Sequence, residues 1–293
     1  MIEFSMTPKN TRLEQLVDSA LSALATPRNT LAVENILTIP TQLQDIVCQP
    51  GMILLSGRPA MGCTSLALNI ALSVAKFQRQ TVLYFSFDDM KETVMKKLLC
   101  IEGMVDTRRL LDKKFTDSDW VRIRTAGALI KDLPLHIYDD PLLTVGEIGQ
   151  ICDQHKQVDL IIIDLLQNME VIPGEWGTAK RGKKENRILQ QLSLLSKKKG
   201  IPILCLNMLG GDVERRMCME PDVCDIRKFR KSFDYIDTAL FLYRDDYYAM
   251  KTPDELTAFC YVRLNRNNDC SRIRMRWIPE YTTFLDVPFR RAE

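Results

Sequence analysis

The chain has 293 residues, 46% of them hydrophobic, enough for one large packed core with an appendage or for two small domains, and too apolar for a disordered protein. Forty Lys and Arg against thirty-eight Asp and Glu leave a formal charge of +2, so a nucleic-acid site has to come from local clustering of charge and not from an overall basic balance. Nine cysteines without a CxxC pair and only two histidines exclude a His-rich metal site and favour free thiols in a reducing cytoplasm over disulfides or a structural metal.

Along the chain, residues 11–25 place Leu13, Leu16, Val17, Ala20, Leu21 and Leu24 at the spacing of an amphipathic helix. Asn10 or Thr11 caps it, Pro27 ends it, and 26–30 read as a linker. The expected division is therefore 1–30, helix and linker, followed by a domain over 31–293. Whether the helix lies on that domain or docks on a partner is open from these residues alone. No run of about 18 apolar residues occurs, and the N-terminus has no basic stretch leading into an apolar one, so a cytoplasmic protein without membrane contact is expected.

From about residue 35, strands are predicted at 52–56, 81–86, 135–138, 159–163, 201–206, 238–243, 258–264 and 272–278. Helices are predicted at 64–78, 91–103, 117–131, 144–155 and 186–198. Unalternating β-branched runs such as Leu160-Ile161-Ile162-Ile163, bounded by helices, predict an α/β fold with a mostly parallel sheet covered on both faces. The last strands have no helices between them and form an antiparallel edge. The tract 173–184 is rich in glycine and lysine and reads as a loop carrying Lys180, Lys183 and Lys184. Lys197, Lys198 and Lys199 finish a helix at its negative end.

Between the first strand and its helix stands Gly57-Arg58-Pro59-Ala60-Met61-Gly62-Cys63-Thr64-Ser65. A strand, a glycine loop and a helix N-terminus converge backbone N–H groups on an anion. A phosphate loop of the form G-x-x-x-x-G-K-[ST] has lysine where this chain has Cys63, and a thiol of ordinary pKa about 8.5 supplies no cation at pH 7. Thr64 still offers a hydroxyl to Mg²⁺, and Asp164 ends an apolar strand as a metal-linked carboxylate does. ATP and Mg²⁺ are the cofactors these residues suggest.

Further short segments follow in order: Phe85-Ser86-Phe87-Asp88, Ile163-Asp164-Leu165-Leu166-Gln167, Glu185-Asn186-Arg187, Val213-Glu214-Arg215-Arg216, Asp225-Ile226-Arg227, Leu240-Phe241-Leu242-Tyr243-Arg244-Asp245, Asn265-Arg266-Asn267 and Glu280-Tyr281-Thr282. With the glycine loop, they resemble the C-terminal motor domain of the DnaB family of replicative helicases, a RecA-like P-loop fold, from about Glu34 to Val287. The resemblance implies a ring, often a hexamer, with nucleotide between subunits, single-stranded DNA through the centre and motion driven by ATP hydrolysis. The family's N-terminal primase-interacting domain is expected to be absent, and the helix at 11–25 stands where the family has a linker helix that docks on the neighbouring subunit.

Carried over by resemblance, Asp88 holds the place of a glutamate that activates the attacking water, and its carboxylate is one C–C bond, about 1.5 Å, shorter. Met208 replaces a nucleotide-sensing glutamine, whose hydrogen bonds a thioether cannot make. Arg266 matches an arginine finger offered to the neighbouring subunit, whereas Leu264 stands in place of a lysine on the same strand. Arg58 and Arg263 are the nearby cations that would have to substitute. The family's DNA-contacting loop, Asp-Leu-Arg-Glu-Ser-Gly, corresponds to Asp225-Ile226-Arg227-Lys228-Phe229-Arg230-Lys231, in which Lys228 and Arg230 replace an acid and a glycine. Phosphate contact needs only positive charge and reach, and Phe229 adds a stacking surface; Lys180, Lys183 and Lys184 are expected to add a second DNA-binding patch.

The expected function is that of a DnaB-like replication protein, accessory or regulatory in genome, plasmid or phage replication, which binds single-stranded DNA and ATP with weak or absent hydrolysis. Two alternatives stay open: a compact active helicase with an unconventional site, and a pseudo-ATPase that binds a true DnaB-type helicase.

Overall fold

A computed structural model describes residues 13–24, 39–112, 114–170, 183–229, 233–248, 256–266 and 270–287. In chain order the elements are α1 (Leu13–Leu24), α2 (Thr41–Val47), β1 (Met52–Gly57), α3 (Cys63–Phe77), β2 (Val82–Ser86), α4 (Lys91–Gly103), α5 (Arg108–Asp112) and α6 (Asp117–Ile130). They continue with β3 (Leu135–Tyr138), α7 (Val145–Gln154), β4 (Leu160–Asp164), α8 (Lys183–Lys199), β5 (Ile203–Met208), β6 (Thr238–Arg244), β7 (Thr257–Asn265), β8 (Ser271–Ile278) and β9 (Thr283–Asp286).

Every residue of β1, β2 and β4 is buried, which is why these runs do not alternate: both faces of the sheet are covered. The nine strands form one sheet in the order β3-β2-β4-β5-β1-β6-β7-β8-β9. All pairs up to β6 are parallel and the remainder antiparallel. Two buried clusters flank it, one shared with α1, α2, α3, α4 and α6, the other with α7 and α8. Along β8 burial alternates, with Ile273, Met275 and Trp277 inside and Arg272, Arg274 and Arg276 exposed.

The fifth strand starts two residues later than predicted, at Ile203, and runs on to Met208. Pro202 has no N–H to give a ladder, and contributes only its carbonyl, which accepts from the Ile161 N–H at 3.0 Å. Helix α8 starts at Lys183, earlier than its apolar periodicity, and Lys197, Lys198 and Lys199 fill its last turn. The short elements α2, α5 and β9 lie outside the sequence reading altogether. Helix α1 buries Leu13, Leu16 and Val17 against α4 and α6 of its own chain. Gly127 on α6 lets it approach: a Cβ there would stand 3.1 Å from Val17 Cγ1. Its expected caps, the linker at 26–30 and most of the glycine-lysine tract fall outside the described residues. Among the described residues no helix is long and apolar enough to cross a membrane.

Candidate nucleotide site

The glycine loop leaves the C-terminal end of β1, in the middle of the parallel strands, and turns into α3. Two residues take left-handed backbone conformations, Ala60 (φ 62°) and Gly62 (φ 105°). At Gly62 there is no room for a side chain, since a Cβ would lie 3.0 Å from Phe284 Cζ. Gly62→Ala is accordingly expected to lower the unfolding free energy by about 1–3 kcal/mol in a denaturant titration. Gly62 is the N-cap of α3 and offers no side-chain cap. Leu66 N–H, bonded to Gly62 O at 2.9 Å, closes the first helical turn, which leaves the N–H groups of Cys63, Thr64 and Ser65 as the helix's open donors. The outer side of the loop is braced by Arg244, whose Nη1 donates to Met61 O at 3.3 Å while Asp246 holds the same guanidinium at 2.6 Å. That guanidinium stacks over Trp277 at 4.6 Å.

A cavity of about 360 Å³ opens over the loop, walled on its other sides by Asp88, Asp164, Met208, Trp277 and Thr282. Every loop residue from Gly57 to Ser65 lines it except Met61. Met61 is 1% exposed and belongs to the core, so its side chain is a packing element and only its backbone belongs to the cradle.

Cys63 is half-buried against Gly57, where an added Cβ would come within 2.5 Å of its Sγ. Burial, then the neighbouring Asp164 and Cys260, push the thiol far above its ordinary range. It is a neutral thiol at pH 7 and neither attracts nor repels phosphate. Thr64 Oγ1 donates to Asp164 Oδ1 at 3.3 Å, bringing together the two oxygen ligands expected for a hard cation. The third partner carries no motif of its own: Tyr84, 1% exposed, donates its hydroxyl to Asp164 Oδ2 at 2.7 Å. Burial raises the Asp164 carboxyl above its usual range, and the Tyr84 and Thr64 hydrogen bonds and the charge of Lys97 pull it back. Lys97 itself is held by Asp89 at 2.5 Å. Tyr84→Phe leaves a buried carboxylate oxygen unpartnered, and a thermal or chemical melt is expected to show a loss of about 1–3 kcal/mol.

Asp88 is exposed at the cavity wall, and Asn168, just beyond β4, orients it through Nδ2 to Oδ1 at 3.1 Å. Met208 is 40% exposed and presents its thioether to the same cavity. The amide nearby comes from Gln167, which donates to Asn207 Oδ1 at 2.8 Å and accepts from Met208 N–H at 3.3 Å. Asn207 in turn donates to Ser56 Oγ at 2.9 Å, so this amide chain ties the ends of β1, β4 and β5 and is consumed in doing so.

Neither nearby arginine takes the place of the missing lysine. Arg58 lines the cavity, but its guanidinium is engaged by Glu214 at 2.9 Å and Leu209 O at 2.8 Å. Arg263 points away from the cavity, over Tyr261 and against Glu220 at 3.2 Å. Arg266 follows Asn265, which pairs with Thr238 at the start of β6. It stands at the opposite edge of the sheet from the glycine loop, about 20 Å away along the strands. There it donates to Phe233 O at 2.7 Å and Ile236 O at 3.0 Å. Its own chain's cradle is out of reach.

Of the expected DNA-contact residues, Arg227, Lys228 and Phe229 close a 3₁₀ segment, Val223–Phe229, anchored by buried Ile226 and by Asp225 with Arg216 at 2.8 Å. Lys183 opens α8, and Lys184 is paired with Glu170 at 2.8 Å. Lys180, Arg230 and Lys231 lie outside the described residues.

A backbone cradle at the C-terminal edge of a parallel sheet, with a strand-end acid beside its threonine, is the arrangement of a RecA-like P-loop fold. The family model described as DnaB-like helicase C terminal domain matches residues 43–286, and the chain belongs to that family. Over 247 residues it is 29% identical to the replicative DNA helicase DnaB of Geobacillus stearothermophilus, covering 83% of this chain and 54% of that protein. Over 244 residues it is 29% identical to the replicative DNA helicase DnaC of Bacillus subtilis (strain 168), covering 82% and 53%. The chain thus spans about half the length of the curated relatives it matches. Among solved structures, the ATPase domain of G40P superposes with a TM-score of 0.77 at 22% identity, over 87% of this chain and 93% of that one.

Proposed function

We propose that this DnaB-like chain binds single-stranded DNA and Mg²⁺-ATP, turns ATP over weakly or not at all, and serves replication as an accessory or regulatory factor in the cytoplasm. The observation that carries the reading is the neutral Cys63 thiol at the head of a cradle whose backbone is otherwise intact, with Arg58 committed elsewhere. Binding draws on the open donors of α3, on Thr64 and on Asp164, all present. Bound Mg²⁺ supplies charge neutralisation at the phosphates; Thr64 and Asp164 would hold it. Turnover needs more: a cation on the transferring phosphoryl group, a base at full reach and a sensing amide, and positions 63, 88 and 208 each depart from these.

The placement of Arg266 at the far edge of the sheet supports self-association, in which one copy's arginine meets the next copy's cradle in a ring such as a hexamer. It also keeps a second reading alive, a compact ring helicase. The two readings separate in one assay. Steady-state phosphate release with single-stranded DNA stays near background under the first, while under the second it is fast and is abolished in Arg266→Ala.

A further inference from the structure

We propose that the outer face of the β7–β8 ribbon is a second surface for single-stranded nucleic acid, which it grips by the phosphates. Arg272, Arg274 and Arg276 stand on one face of β8, all exposed. Alternate residues of a strand are about 6.8 Å apart, a repeat comparable with successive phosphates along a stretched single strand. Register places Tyr261 and Phe259 of β7 on the same face, opposite Arg272 and Arg274. The guanidinium of Arg272 lies over the Phe259 ring at 4.8 Å and that of Arg263 over Tyr261 at 4.3 Å. A guanidinium laid flat on a ring is held in place while its N–H edges stay outward, so little freedom is lost when an anion arrives.

The charge on this face is lopsided. Glu220 engages Arg263, and Arg274 has a partner of its own. Among the described residues Arg272 and Arg276 have no carboxylate partner; Arg272 also shares a hydrogen bond with the Tyr261 hydroxyl. None of the large exposed apolar side chains, which include Met90, Leu142, Leu194 and Met217, belongs to this ribbon. Protein interfaces bury an exposed apolar or aromatic centre; here the two rings lie beneath guanidinium groups, and a face of spaced cations suits a polyanion better. Glu220 lies just ahead of the Val223–Phe229 segment, so the ribbon adjoins the loop assigned to DNA, and a strand leaving that loop meets Arg272 and Arg276 next. The ligand class rests on the DNA-binding reading above, but the residues are different ones.

The test is fluorescence anisotropy of a fluorescein-labelled oligothymidylate against the Arg272→Gln/Arg276→Gln protein across a salt series. Two lost phosphate contacts are expected to make the log–log salt slope shallower by about 1.4 and to weaken binding by about 25-fold at 0.1 M salt. Lys131→Gln, an exposed cation at the end of α6, leaves both unchanged, and an unaltered thermal midpoint shows that the variants are folded. An unchanged slope in the double variant overturns the proposal. So does a change in sedimentation with unchanged oligonucleotide affinity per protomer, which makes the face a contact between copies. Lys228→Gln run in parallel separates the two surfaces: loss there with none in the arginine variant keeps the loop and removes the ribbon.

Discussion

Cys63→Lys is expected to tighten Mg²⁺-ATP binding by about 10- to 100-fold, the equivalent of one charged hydrogen bond of about 1.5–3 kcal/mol. The cradle is built to receive it. Gly57 has no side chain to obstruct position 63, the first-turn donors of α3 are uncommitted by any cap, and Thr64 already meets Asp164. The new ammonium enters a cavity whose wall holds Asp88 and Asp164, so it is attracted there before nucleotide arrives. Turnover follows a different rule. Groups that act on one transition state are not additive, and Asp88 remains a methylene short of a glutamate's reach. Phosphate release is therefore expected to stay low in Cys63→Lys alone and to rise clearly in Cys63→Lys/Asp88→Glu. Titration with a fluorescent nucleotide and a phosphate-release assay on the same preparations distinguish the two effects.

Reversing charge in the proposed DNA loop, Lys228→Glu with Arg230→Glu, is expected to weaken oligothymidylate binding by at least about 25-fold at 0.1 M salt. Removing two contacts alone accounts for that factor, and repulsion from the new carboxylates adds to it. The described part of the loop has anchors of its own. It hangs on Ile226, 0% exposed, and on the Arg216–Asp225 pair, so the variant keeps its fold and its nucleotide affinity. Anisotropy across a salt series checks the first point and the nucleotide titration the second.

The parallel strands were legible in the sequence because a strand covered on both faces is written as an uninterrupted apolar run, as Leu160–Ile163 is. The elements at the periphery were not: β9 has four residues and α2 seven, too few to show a period. The loop, Thr64 and Asp164 could be named from motif spacing and Asp88 from the family resemblance, and the sheet does bring them to one cavity. Tyr84 could not, since a tyrosine inside Val82–Ser86 reads as core; only the β2–β4 register, which pairs Ser86 with Asp164, aims its hydroxyl at the carboxylate. The direction of Arg263 was hidden for a related reason. A register shift opposite Ala239 and Leu240 leaves it the extra residue of β7, and strand alternation gives no warning of which face such a residue takes. The fates of Gln167 and Asn168 depend on a turn after β4 that no local pattern specifies.

In the proposed reading the cradle holds nucleotide without efficiently cutting it. Steady-state phosphate release by the purified protein with saturating Mg²⁺-ATP and single-stranded DNA tests it most directly. Near-background release from protein that demonstrably binds the nucleotide is the predicted result; DNA-stimulated turnover of about 10 per second or more, an ordinary enzymatic rate, would contradict it.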